Sequence, residues 1–239
     1  MTENKIDYDD LKKRGFLQSR KEGCVTLRTR MDSGNYTAQQ LEKLSYISKI
    51  YGNGYTHLTV RQGIEIPFIP IDKVSEIENI MEENGIYAGT SGPRLRATTA
   101  CPGTNWCKRG LVNTFDLFDK IQKKGIECGM DLPHKFKIVV SGCPNGCTRP
   151  RGSEIGIHGQ VDVASPEKKI GFAVYLGGCG GLSPREGIKL EKVYSEDEVL
   201  VVIEKVITFF KENAKSRQRL GHLIEEIGKD TFLEIIGEK

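Results

Sequence analysis

Four of the seven cysteines fall into two short clusters, TACPGTNWC (residues 99–107) and SGCPNGC (residues 141–147). Their spacings are C-x5-C and C-x3-C. Each cluster sits among glycine, proline and asparagine, where the backbone can curl around a metal centre and turn N–H groups toward sulfur. Zinc knuckles favour paired C-x2-C to C-x4-C steps and bacterial ferredoxins use runs of C-x2-C; the first pair fits neither. Four thiolates on two such loops suit a cubane [4Fe-4S] cluster. A lone free cysteine is usually a small buried hydrophobe. That is the expectation for Cys24, Cys128 and Cys179, which lack a partner at ligand spacing, although Cys179 lies in YLGGCGG, a loop that could approach a cofactor.

The elements that would position these loops follow from periodicity. In CVTLRTR (residues 24–30), Val25 and Leu27 take one face and Thr26, Arg28 and Arg30 the other, the period of a half-buried strand. Thr37 with Gln40 forms a capping box for a helix with Leu41, Leu44, Ile47 and Tyr51 as its stripe, ended by Gly52. His57–Ile69 predicts a second strand, with Leu58, Val60, Ile64, Ile66 and Phe68 on one side and Arg61 on the other. A helix from Val74 to Asn84 follows, started by Asp72 and stopped by Gly85. This β-α-β-α unit has the length of half of a small ferredoxin-like α+β layer.

The character changes after GTSGPRLR (residues 89–96), which predicts domains over 1–88 and 89–239. In the second, the pattern predicts a helix over Lys108–Lys124 through Leu111, Phe115, Phe118 and Ile121, then strands over Lys135–Ser141, Glu154–His158 and Gly171–Leu176. A long helix opened by the Ser195/Glu198 capping box and a short one over Leu220–Ile227 close the chain. Lys135 and Lys137, two apart on a strand, point the same way.

Composition sets the outer bounds. The chain has 239 residues, 38% apolar and 28% charged, which excludes disorder, collagen-like repeats and coiled coils. A net charge of +3 announces neither a nucleic-acid nor a membrane partner. An odd count of cysteines argues against a disulfide framework, and the polar start MTENKIDYDD has no signal-peptide pattern. The expected location is the cytoplasm.

The segments LRTR, LTVRQGIEI, SGPRLR, TACPGTNWCKRG, LPHKFKIVVSGCPNGC and EIGIHG resemble the sirohaem-dependent nitrite and sulfite reductases, in that family's order, over about residues 15–235. The resemblance implies a ferredoxin-like half-domain followed by an α/β domain that binds sirohaem and a [4Fe-4S] cluster. It makes Cys101, Cys107, Cys143 and Cys147 the cluster ligands, with Cys147 also bridging to the haem iron. Arg30, Arg96, Lys135 and Lys137 match the cations that surround the bound oxyanion; Arg28, Arg61, Arg94, Asn145 and Arg149 would hold the cofactor's carboxylates. It implies six-electron reduction of sulfite to sulfide, with nitrite to ammonia as the alternative. An iron-sulfur electron-transfer subunit is the alternative of another class. Ala97 and Glu154 depart from the family pattern of Asn and Asp, so altered haem or substrate contacts are expected there.

No second four-cysteine set and no G-x-G-x-x-G fingerprint occurs in the sequence, so the expected electron source is an external donor such as a ferredoxin. Larger relatives hold two copies of this unit. The single copy here implies pairing of two chains about a two-fold axis or with a related subunit; a monomer closing its own cations over its own haem is the alternative.

Overall fold

The segment CVTLRTR forms the central strand of an antiparallel sheet in the computed structural model, which describes residues 6–239. The chain divides between Gly92 and Pro93 into two units. The first contains α1 (Tyr8–Lys13), β1 (Phe16–Gln18), β2 (Cys24–Arg30), α2 (Ala38–Ile50), β3 (His57–Leu58), β4 (Ile64–Pro70), α3 (Val74–Glu83) and β5 (Tyr87–Ala88). Its strands run in the order β1-β2-β4-β3, with β5 also paired to β2. Val25, Leu27 and Thr29 face inward from β2 and pack with Phe16, Leu44, Ile47, Ile66 and Ile77.

Helix α2 has both arms of the Thr37/Gln40 capping box. Its buried stripe is Leu44, Ile47 and Ser48, whereas Leu41 is exposed, so the helix is rotated from the predicted face. The long strand predicted over His57–Ile69 is instead a hairpin. Thr59 Oγ1 accepts from the N–H groups of Arg61 (3.3 Å) and Gly63 (3.1 Å), and Gln62 takes a left-handed φ of 62°. A side chain that bonds its own backbone competes with the ladder, so the chain turns. Leu58 and Val60 are consequently exposed and Arg61 lies in a turn. A second interruption falls at Phe68, with φ at 64°. Val25 opposes Ile69 while Leu27 opposes Ile66, so β4 carries an extra residue and Ile69 takes the buried place predicted for Phe68. Asp72 does not cap α3: residues 71–73 make a 3-10 turn, and the helix follows without a side-chain cap.

The second unit contains β6 (Thr99–Ala100), α4 (Thr114–Glu127), β7 (Ile138–Ser141), β8 (Ile155–Val161), β9 (Ile170–Leu176), β10 (Ile188–Lys189), α5 (Glu196–Asn213), α6 (Leu220–Ile227) and α7 (Lys229–Ile236). The order is β10-β9-β8-β7-β6; β6, β7 and β8 are parallel, and β9 and β10 are antiparallel additions. Ile138, Val140, Ile155, Ile157, Val174 and Leu176 pack with residues of α4, α5 and α6 in one core. Alternation sends Val139, Ser141, Gly156, His158 and Tyr175 to the opposite sheet face. The fold is therefore α+β in both units.

Two boundaries differ from the sequence pattern. The helix predicted from Lys108 begins only at Thr114, because Asn113 accepts from the N–H groups of Phe115 and Asp116 and caps it there; Leu111 belongs to the preceding loop. The strand predicted from Lys135 enters the ladder at Ile138, residues 135–137 being tied to the sheet through the Leu95–Phe136 bridge. The long C-terminal helix starts as predicted, Ser195 and Glu198 forming both arms of its box, and α6 keeps its predicted bounds with Gly228 ending it; α7 is an addition.

Glu154 is fully buried at the start of β8, where it pairs with the buried Arg219 that precedes α6 and accepts from the Lys137 N–H at 3.0 Å. Burial raises its carboxyl above the ordinary range, against the pull of Arg219. Arg219→Met is expected to lower stability by about 3 kcal/mol or more in urea unfolding, and adding Glu154→Gln to recover most of that loss. A raised folded-state pKa means that the penalty grows as pH rises through it. The single variant should therefore lose more stability at pH 8 than at pH 5.

Candidate cofactor site

Both cysteine loops leave the same end of the second unit's sheet, one after β6 and one after β7, since the two strands are parallel. The first loop is knitted by asparagines: Asn105 Nδ2 donates to the Pro102 carbonyl (2.9 Å) and to Asn113 Oδ1 (3.0 Å). Thr114, the first residue of α4, donates its hydroxyl to the Cys101 carbonyl. The second loop is stapled to the end of β7 by Thr148, whose N–H donates to Ser141 Oγ (3.3 Å) and whose hydroxyl donates to the Val140 carbonyl (2.9 Å). That holds the neighbouring Cys147, which is exposed. The two loops touch: the Gly142 N–H donates to Cys101 Sγ at 3.0 Å, and a Cβ on Gly142 would lie 2.5 Å from Gly103 Cα. Only glycine permits that approach.

All four thiols are free, with Cys107 and Cys147 exposed and Cys101 and Cys143 half-buried. Among the described residues no three His, Cys, Asp or Glu side chains converge on one point as the ligands of a single ion must. The four corners of an iron–sulfur cube make no such demand, because each thiolate binds a different iron. Of the remaining cysteines, Cys24 and Cys179 are buried and Cys128 is half-buried, its thiol pushed up by burial. Cys179 Sγ donates to the Ser183 carbonyl.

The cations sort by unit. In the second, Leu95 and Phe136 are buried in the core, so their neighbours Arg94, Arg96, Lys135 and Lys137 alternate away from it. The Arg96 N–H donates to the Phe136 carbonyl at 2.8 Å, which fixes its register beside the lysines. Arg94 Nε lies 3.2 Å from Asp131. From Lys137 to Ser141 the strand climbs about 13 Å, so the cations and the cysteine loop occupy opposite ends of one sheet face. In the first unit, Arg28 is bound to Glu65 directly across the ladder, Nη2 to Oε1 at 2.6 Å. The Arg30 guanidinium lies 5.1 Å from the centre of the Tyr87 ring and 3.9 Å from Asp32, and Arg61 is half-buried in the hairpin turn.

Several residues here escaped the sequence reading. His134, next to Lys135, has its pKa lowered first by burial and then by the charges of Lys135, Arg219, Arg96 and Arg217. The C-terminal connection between α5 and α6 thus adds two arginines to the lysine end of the face. Arg217 has a left-handed φ of 65° and its N–H donates to the Pro133 carbonyl. No periodicity marks such a residue, because its partner lies far away in sequence. On the other side of the Cys143–Cys147 loop, a cavity of about 620 Å³ brings Asn145 and Arg149 together with Arg151, His158 and Arg185. Burial also holds the His158 imidazole below its ordinary range; its ring nitrogens contact the Gly159 carbonyl and the Tyr175 hydroxyl.

Residues 91–239 match the model of the nitrite and sulphite reductase 4Fe-4S domain, and residues 17–84 that of the nitrite/sulfite reductase ferredoxin-like half domain. The chain belongs to the nitrite and sulphite reductase family. Members of this family depend on sirohaem and a [4Fe-4S] cluster. A coenzyme F420-dependent sulfite reductase of Methanocaldococcus jannaschii is 30% identical over 94% of this chain and 44% of its own length. The large subunit of a nitrite reductase [NAD(P)H] of Klebsiella oxytoca is 28% identical over 98% of this chain and 24% of its own length. The chain thus spans under half of each of these two relatives. Among solved structures, the Mycobacterium tuberculosis NirA protein shares the fold with a TM-score of 0.84 at 21% identity, over 97% of this chain and 46% of that one. Dissimilatory sulfite reductase I gives 0.79 at 20% identity, over 90% and 69%.

In this reductase-family chain the donor set fits the cluster: four free thiols, two loops in glycine-only contact and a backbone N–H aimed at one sulfur. No helix among the described residues is long and apolar enough to cross a membrane. Thr148→Val removes a hydroxyl that orients the loop without touching a ligand sulfur. It is expected to weaken cluster retention about tenfold, read as iron per chain after anaerobic gel filtration against a chelator, with the far-ultraviolet dichroism unchanged.

Proposed function

We propose that this chain reduces sulfite to sulfide with six electrons. The reading rests on one sheet face of the second unit that carries Arg96, Lys135 and Lys137 at one end and the Cys143–Cys147 loop at the other. Cys101, Cys107, Cys143 and Cys147 would hold the cluster, with Cys147 as the thiolate shared with the haem iron. Arg28 and Arg61 of the first unit, and Arg94, Asn145 and Arg149 of the second, would hold sirohaem carboxylates, since an anion of that density needs cations and N–H donors. When bound, sirohaem supplies an iron with an open position for the oxyanion, and the cluster supplies electrons one at a time.

The protein's own part is electrostatic and protonic. Arg30 and Arg96 contribute fixed charge, because a guanidinium stays protonated at any working pH. Lys135 and Lys137 carry ammonium groups with protons to give, so they serve as proton donors as each oxygen leaves as water. Burial first, and then the cationic charges around it, hold the neighbouring His134 imidazole below its ordinary range. The similarity to a relative named as a sulfite reductase supports sulfite as substrate. Nitrite to ammonia is the second reading, supported by relatives named as nitrite reductases that match nearly the whole chain. The electron donor is external, such as a ferredoxin. Pairing with a second chain or a related subunit is the arrangement proposed, a monomer closing its own cations over its own haem being the alternative.

Anaerobic purification and a visible spectrum test the cofactors: a Soret band with a red isobacteriochlorin band, coupled to iron–sulfur absorption, is expected. A cluster without haem would overturn the reading in favour of an electron-transfer subunit. Rates with sulfite and nitrite under one reductant then identify the substrate. Lys135→Met is expected to lower kcat for sulfite by about 10²-fold or more with the haem spectrum intact. Cys147→Ser is expected to abolish the electronic coupling between haem and cluster; retained coupling would refute the shared thiolate.

A further inference from the structure

The loop that carries Cys107 also presents a feature the oxyanion site does not use. Trp106 is 66% exposed, an unusual state for the chain's one tryptophan, and its ring is fixed by an edge-on contact with Phe115 at 5.3 Å. Lys108 and Arg109 follow Cys107 directly and are both exposed. Neither takes part in an ion pair or a side-chain hydrogen bond among the described residues. The carboxylate nearest in sequence, Asp116, accepts from Asn113 Nδ2 at the start of α4. An oriented, exposed tryptophan ring with an arginine close by has the composition of an interface centre, and Lys108 adds the positive charge that an acidic partner would meet.

We propose that Trp106, Lys108 and Arg109 form the docking surface for a small acidic iron–sulfur electron carrier. The inference rests on the reading of Cys107 as a cluster ligand. A donor seated there stands one residue from a thiolate of the cluster. The step balances simply: the reduced carrier loses one electron, the oxidised cluster gains it, and no bond or proton moves. Opposite charge on the carrier steers its approach and sets its orientation, whereas the tryptophan supplies the desolvated contact that slows its departure. The cationic cavity behind the Cys143–Cys147 loop is a less suitable seat, because Arg185 is paired with Glu225, Arg151 lies over Tyr175 and Glu186 stands in the wall.

The test uses the cofactor-loaded protein and an acidic [4Fe-4S] ferredoxin, with titration calorimetry for affinity and stopped-flow absorbance for cluster reduction. The double variant Lys108→Glu/Arg109→Glu is expected to weaken ferredoxin binding about tenfold or more and to slow cluster reduction by ferredoxin in proportion. Reduction by dithionite-reduced methyl viologen, which needs no docking surface, should stay at the wild-type rate. Trp106→Ala is expected to weaken binding by a further factor of about ten, and 0.5 M salt to erase the difference between wild type and the charge variant. Failure of the wild type to bind ferredoxin, or equal affinity of wild type and charge variant at low salt, would overturn the proposal. Viologen-reduced protein that converts neither sulfite nor nitrite would instead overturn the proposed function while leaving the binding result to stand.

Discussion

The site depends on a single constraint, the alternation of side chains along β7 and the segment that leads into it. Phe136, Ile138 and Val140 must enter the core beneath the helices, and once they do, Lys135, Lys137 and Ser141 have no choice but the other face. Parallel strands are joined by crossovers that normally bring a helix onto the sheet. Between β6 and β7 that helix is α4, but between β7 and β8 the connection is the cysteine loop and one 3-10 turn, with the Pro150 carbonyl crowding Gly156. The face that a helix would have covered is thereby covered by the cysteine loop itself, with Thr148 on Ser141 and Pro150 on Gly156. Cations and thiolates then share it because they sit at opposite ends of one strand.

Keeping that strand in place falls to a buried charge. Glu154 receives the Lys137 N–H and the guanidinium of Arg219, which ties the strand's entrance to the beginning of α6. A buried ion pair adds little net stability against an apolar substitute, but removal of one partner is costly. Its physical contribution is to fix geometry: the same connection that carries Arg219 holds Arg217 against Pro133, beside the lysines. The longer glutamate side chain at a position where aspartate was the family expectation thus reaches two partners inside this unit.

Much of this was legible in the chain. Capping boxes at Thr37 and Ser195 marked helix starts to the residue, because the chemistry of a cap is local. The same logic failed where a side chain competed with regular structure. Thr59 turned an alternating apolar run into a hairpin, Phe68 inserted a bulge, and Asn113 delayed by six residues a helix predicted from Lys108. Periodicity reports which residues could share a face; it does not report where a hydrogen bond to the backbone breaks the period. Arg28 shows the other limit, since its partner Glu65 is chosen by strand register, which emerges only from the assembled sheet.

The sequence by itself determined the family, the two cysteine loops, the cationic KFK segment and the capped helices, all of which are encoded within short stretches of chain. Only the tertiary structure decided which of the cations are already paired, that the C-terminal connection adds Arg217 and Arg219 to the lysine end, and that Trp106 stands exposed beside Cys107. These depend on contacts between residues tens of positions apart. Such contacts are fixed by core packing and strand register rather than by any local preference.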